Sequence, residues 1–192
     1  WDESKLMAWA NKEDGKSPNF WSRSIGWYAM ALVDALDYFP KNHPKRKELI
    51  GYLNSLAVAL DKAKDEKYGL WYQVTDQGNR EGNYLESSGS SMFIYALAKG
   101  VNKGYLPAKY KVIASNSFNS LTSLLIKKGE DGEITITQAC AVAGLGGNPY
   151  RDGSYSYYVN ERKIDKINEI AYNFVTKNKK IRENKVIKPF FV

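Results

Sequence analysis

From Ile25 to Phe39, apolar residues recur at three- and four-residue steps: Ile25, Tyr28, Ala29, Leu32, Val33 and Leu36. That period is the stripe of an amphipathic helix, and it constrains the fold of this 192-residue chain more than any other feature. Pro40 closes the helix, and Pro44 is suited to the first turn of the next. The second stripe comprises Leu49, Tyr52, Leu53, Leu56 and Leu60. After a charged bend comes the aromatic segment Tyr68–Val74, then a turn at Asp76–Asn79. A third helix starts near Glu86 and stops at Gly104. Pro107 opens a fourth, with Tyr110, Ile113, Ser117, Leu121, Leu124 and Leu125 inward. Sliding the chain by 65 residues lays Ser22 on Ser87, Tyr28 on Phe93, Ala31 on Ala96 and Leu32 on Leu97. The repeat predicts stacked helical hairpins whose inner helices start at one common end, where free backbone N–H groups favour anions.

The pattern changes after Gly129–Gly132. Ile134–Thr137 reads as a short strand, with Ser154–Val159 as its expected hairpin partner. The last residues form a basic tail with one short helix expected around Ile164–Phe174. The net charge of +7, from 28 basic and 21 acidic residues, is concentrated there. No recognition motif accompanies it, so nucleic acid is not expected as a partner. One histidine, His43, and one cysteine, Cys140, give neither a catalytic triad nor a metal-ligand cluster, and no cofactor is expected. Cys140, between alanines, reads as a small buried hydrophobe, and a lone cysteine excludes an intrachain disulfide. No apolar run is long enough to span a membrane.

The chemistry concentrates in Phe20-Trp21-Ser22-Arg23-Ser24-Ile25-Gly26-Trp27-Tyr28, just ahead of and within the first helix. Indoles stack on sugar rings and a guanidinium forks onto a carboxylate, so Trp21, Trp27 and Arg23 describe a site for an acidic carbohydrate. With the common helix starts, Glu86, Ser87 and Ser88 gather at the same rim. Each has a plainer account: Trp27 as core, Glu86 as a helix N-terminal charge, Ser87 and Ser88 as caps.

Together with Trp1-Asp2-Glu3-Ser4, Ser17–Leu32, Glu86–Phe93 and Ala141–Gly147, these segments resemble unsaturated rhamnogalacturonyl hydrolases of glycoside hydrolase family 105, with family 88 as close relative. The resemblance runs from Trp1 to Glu161. It implies an all-α fold of (α/α)6-barrel type, incomplete in this chain, with a short β-hairpin toward the C-terminal part. It implies a domain over 1–161 and an atypical basic tail over 162–192. It implies a pectic oligosaccharide ending in an unsaturated uronic acid, attacked by hydration of its C4=C5 double bond rather than at the glycosidic bond. Trp21, Arg23 and Trp27, and with them Glu86, Ser87 and Ser88, would bind substrate; no metal or cofactor is needed. The acid–base aspartate, a second aspartate and a histidine would all lie upstream of Trp1, so no residue here is expected to be catalytic. Asp2 follows that motif and is not the donor.

The chain starts at Trp1 rather than a methionine, from which we expect an upstream portion. After Glu161 it departs from the family pattern, which points to a broken reading frame or gene boundary. Exposed apolar helix faces are expected to favour self-association. The compartment is not fixed by the sequence; the resemblance implies bacterial cytoplasm or periplasm. Two alternatives stand beside the enzyme: a non-catalytic carbohydrate-binding remnant, and a helical-repeat interaction module.

Overall fold

The computed structural model describes residues 1–130, 132 and 134–164. The helix expected around Ile164–Phe174 falls, from residue 165 on, outside the described residues, as does most of the basic tail. Four long helices form two hairpins: α1 (Ser22–Tyr38) with α2 (Arg46–Ala63), and α3 (Ser87–Asn102) with α4 (Lys109–Leu124). β1 (Ile126–Lys128) and β2 (Ile134–Ile136) follow, then β3 (Ala139–Cys140), the short α5 (Tyr155–Asn160) and β4 (Lys163–Ile164).

The repeat read from the sequence is real in space. α1 and α3 start at Ser22 and Ser87, the two serines it aligned. They pack side by side in the same direction: Ser22 meets Gly89, Gly26 meets Met92, and Asp34 and Asp37 reach Lys99 toward the other end. Burial works against the Lys99 charge, but hydrogen bonds to Asp34 and Asp37 outweigh it and raise its pKa. Leu32, Val33, Leu36, Leu53, Phe93, Leu97, Tyr110 and Leu121 form one core between the hairpins.

The N-terminal ends of α1 and α3 almost touch. A Cβ on Gly89 would stand 2.6 Å from Ser22 Oγ and 2.8 Å from its Cβ. Gly89→Ala must therefore push the helix starts apart, an overpacking cost of about 1–3 kcal/mol. Chemical denaturation should show that loss. The same substitution at Gly51, which has open space, should cost no stability in this assay.

The aromatic segment laces the two helix starts together. Ser22 N donates to Gln73 O and Thr75 N to Phe20 O, while Gln73 N donates to Tyr84 O and Glu86 N to Trp71 O. The strand expectation needs one correction. β2 pairs antiparallel with β1, Lys127 opposite Thr135, and not with Ser154–Val159. That segment becomes α5, because the Ser154 hydroxyl accepts from Tyr157 N and caps a helical turn. β3 pairs instead with β4, Cys140 opposite Lys163.

Three inward assignments also shift. Tyr28, Tyr52 and Leu124 lie at the edges of their stripes and are exposed. Tyr38, at the end of α1, is exposed as well. An open groove of about 630 Å³ runs between α3 and α4 past Ile94, Ala98, Ala114 and Phe118. No helix among the described residues is long and apolar enough to cross a membrane.

Candidate functional site

Arg23 sits in the first turn of α1, and Glu86 is the N-cap residue of α3, so the parallel helix starts bring the two segments together. The Arg23 guanidinium donates through Nη1 to Ser88 Oγ (3.2 Å) and to the Cys140 carbonyl, and through Nη2 to Ala141 O (3.4 Å). Its Cζ lies 4.7 Å from the centre of the Trp21 ring. A guanidinium has donors beyond these. Among the described residues, Nε–H and one Nη2–H have no hydrogen-bond partner, so one edge of the planar fork remains open.

Trp21 is fixed from several sides. Its Nε1 donates to Gln73 Oε1 (3.1 Å), and its ring stacks on Tyr158 at 6.3 Å and 22°. Gln73 is fully buried, and its amide also donates to Tyr158 O. Arg23, Trp21, Gln73 and Tyr158 thus form one continuous assembly. Burial pushes the Tyr158 hydroxyl up to about 12, and burial raises the Cys140 thiol and, further, the Tyr84 hydroxyl. These groups stay neutral near pH 7 and serve as walls.

The other expected residues divide by exposure. Trp27 lies one turn beyond Arg23 on α1 and is 60% exposed, which makes it the open aromatic surface nearest along that helix face. Ser88 is half-buried and bonded to Arg23. Ser87 and Glu86 are wholly buried. The Ser87 hydroxyl has no hydrogen-bond partner among the described residues, whereas both oxygens of Glu86 are taken by protein donors. Asp2 is likewise occupied: it accepts from Ser4 N, Ser4 Oγ and Met7 N, and these bonds, Met7 first, hold its carboxyl below the usual range.

Sequence reasoning overlooked Gln73 and the Cys140–Ala141 main chain. Gln73 did leave a signal, as the one amide in an otherwise apolar and aromatic run; the Cys140 carbonyl left none. Beside Trp21, a cleft of about 170 Å³ is lined by Trp1, Lys16, Ser17, Phe20 and Ser24. Among the described residues no group of acidic, histidine or cysteine side chains could hold a metal ion.

Comparison with known proteins fits this arrangement. Residues 1–172 match the family described as Glycosyl Hydrolase Family 88. The chain is 40% identical over 167 residues to the 24.9 kDa protein in the picA locus of Rhizobium radiobacter, across 84% of this chain and 71% of that one. It is 30% identical over 149 residues to the unsaturated rhamnogalacturonyl hydrolase YesR of Bacillus subtilis strain 168, across 77% of this chain and 40% of that one. A solved family 105 glycoside hydrolase of C. acetobutylicum ATCC 824 superposes with a TM-score of 0.82 at 49% identity, covering 85% of this chain and 46% of that one.

These hairpins are therefore those of the (α/α)6-barrel glycoside hydrolases. The chain belongs to glycoside hydrolase family 88, in the group it forms with family 105. It spans most of the short picA-locus relative and less than half of the other two proteins.

Proposed function

We propose that this chain forms the acidic-sugar site of an unsaturated uronyl hydrolase acting on pectic oligosaccharides. The observation that carries the reading is the open edge of Arg23. Three protein acceptors and the Trp21 face hold the guanidinium, yet Nε–H and one Nη2–H point to no acceptor among the described residues. Two parallel N–H groups match the two oxygens of a carboxylate. Trp27 offers its exposed indole to the sugar ring one turn away, and Trp21 backs the cation. Ser88 shares the rim, and the cleft past Trp1 and Phe20 suits the next ring of the chain.

The chemistry follows from the substrate class. In a C4=C5 unsaturated uronate the double bond is a vinyl ether, and the carboxylate is carried on C5. Protonation at C4 leaves positive charge at C5, shared with the ring oxygen, and water adds there. The resulting hemiketal opens and releases the rest of the oligosaccharide. A cation gripping the C5 carboxylate therefore fixes the reacting carbon itself. The proton donor is the aspartate that the family resemblance puts upstream of Trp1.

The double bond absorbs in the ultraviolet, which gives the test. We expect residues 1–192 to bind an unsaturated digalacturonate without bleaching that absorbance, and the same residues joined to an upstream aspartate-bearing segment to bleach it. Bleaching by residues 1–192 alone would move the proton donor into this chain. Absence of binding would remove the reading and favour a helical-repeat module.

A further inference from the structure

Glu86 is an unusual choice for the cap of α3. Serine, threonine, aspartate or asparagine would satisfy the exposed N–H groups of a first turn. A glutamate that only capped would need no burial, yet Glu86 is completely enclosed. Its Oε2 accepts from Gly89 N (2.6 Å) and Ser22 Oγ (3.4 Å). Its Oε1 accepts from Ser88 N (3.3 Å), Ser88 Oγ (2.7 Å) and Cys140 N (2.9 Å). The extra methylene lets one carboxylate cap α3, reach α1 and tie down β3.

Two of those partners are the groups that hold Arg23. Ser88 Oγ accepts from Arg23 Nη1, and Cys140 O accepts from the same nitrogen. An ionised carboxylate can only accept, and a serine hydroxyl has a single proton. Glu86 therefore takes that proton and turns the Ser88 lone pairs toward Arg23. By binding Cys140 N it also sets the main chain whose carbonyl meets the guanidinium. The buried negative charge and the cation are then linked through one hydroxyl and one residue of backbone.

We propose that Glu86 is the positioning residue for Arg23: it orients the guanidinium through Ser88 and the Cys140 main chain, so that the open edge is presented to a carboxylate. Glu86 touches no sugar in this arrangement. The inference rests on the uronate reading of Arg23 given above.

The test is calorimetric titration of the full chain with unsaturated digalacturonate and with its methyl ester, which keeps the shape and removes the charge. Glu86→Gln puts an amide where the carboxylate stood and allows the Ser88 hydroxyl to reverse. Ser88→Ala removes the relay while leaving the capping carboxylate, and decides the matter if Glu86→Gln does not fold. Either variant should lower affinity for the acid about tenfold and affinity for the ester by much less. A merely structural role would weaken both ligands alike, and that result overturns the proposal, as does unchanged acid affinity in both variants. Arg23→Ala is the control: if it leaves the preference for acid over ester intact, the uronate reading itself is lost. The Arg23 Nη1 protons, which bond Ser88 and Cys140, give a readout without sugar. They should be resolved in the parent chain and broadened by exchange in both variants; unaltered resonances contradict the positioning role alone.

Discussion

Arg23→Ala is expected to remove most of the affinity for an unsaturated uronate, a loss of about 3 kcal/mol or roughly 100-fold. Two charge-assisted hydrogen bonds disappear together with the cation behind them, and nothing else at the helix start replaces either. The effect should be confined to acidic ligands, so titration with the methyl ester should show little change. Arg23→Lys should fall between: it keeps a positive charge but cannot form the fork or lie flat on Trp21. Stability should also drop modestly in Arg23→Ala, because the carbonyls of Cys140 and Ala141 lose their donor. Binding measured well below the unfolding transition separates the two losses.

Phe93→Ala should be the most destabilising single change in the helices. Phe93 is completely buried on α3 and meets the equally buried Trp71 edge to face at 5.2 Å and 69°. Removing a ring from that position costs about 3–5 kcal/mol, through lost transfer energy and the cavity left behind. A domain of this size has only about 5–15 kcal/mol in total, so the urea midpoint should fall by a large fraction of its value. The consequence for function is direct. Trp71 accepts Glu86 N and Ser90 Oγ on its carbonyl, so loosening Phe93 loosens the start of α3 and the ties around Arg23. Leu97→Ala, a turn further from the site, should destabilise the chain somewhat less and carry less of the binding defect.

The hairpins were legible in the sequence because their signals are local and redundant. The apolar period marks α1–α4, Pro40 and Gly104 mark the ends of α1 and α3 within a few residues, and the 65-residue offset already aligned Ser22 with Ser87 as helix starts. The strand pairing was not legible. Ser154-Tyr155-Ser156-Tyr157 alternates like a strand, and only the cap formed by the Ser154 hydroxyl turns it into α5. The site was half legible. Aromatic and cationic residue types pointed to an acidic sugar as the ligand to propose, but not to which surfaces stay open. Trp21 is engaged by Arg23, Gln73 and Tyr158, while Trp27 is the exposed indole. Nor could the sequence assign Glu86, whose bond to Cys140 N spans 54 residues and depends on where β3 runs.

A structure of the chain crystallised with unsaturated digalacturonate tests the central claim most directly. The account requires the C5 carboxylate within hydrogen-bond distance of Arg23 Nε and Nη2, with the unsaturated ring against Trp27. A sugar bound elsewhere, or an Arg23 edge closed by the protein's own acceptors, would contradict it.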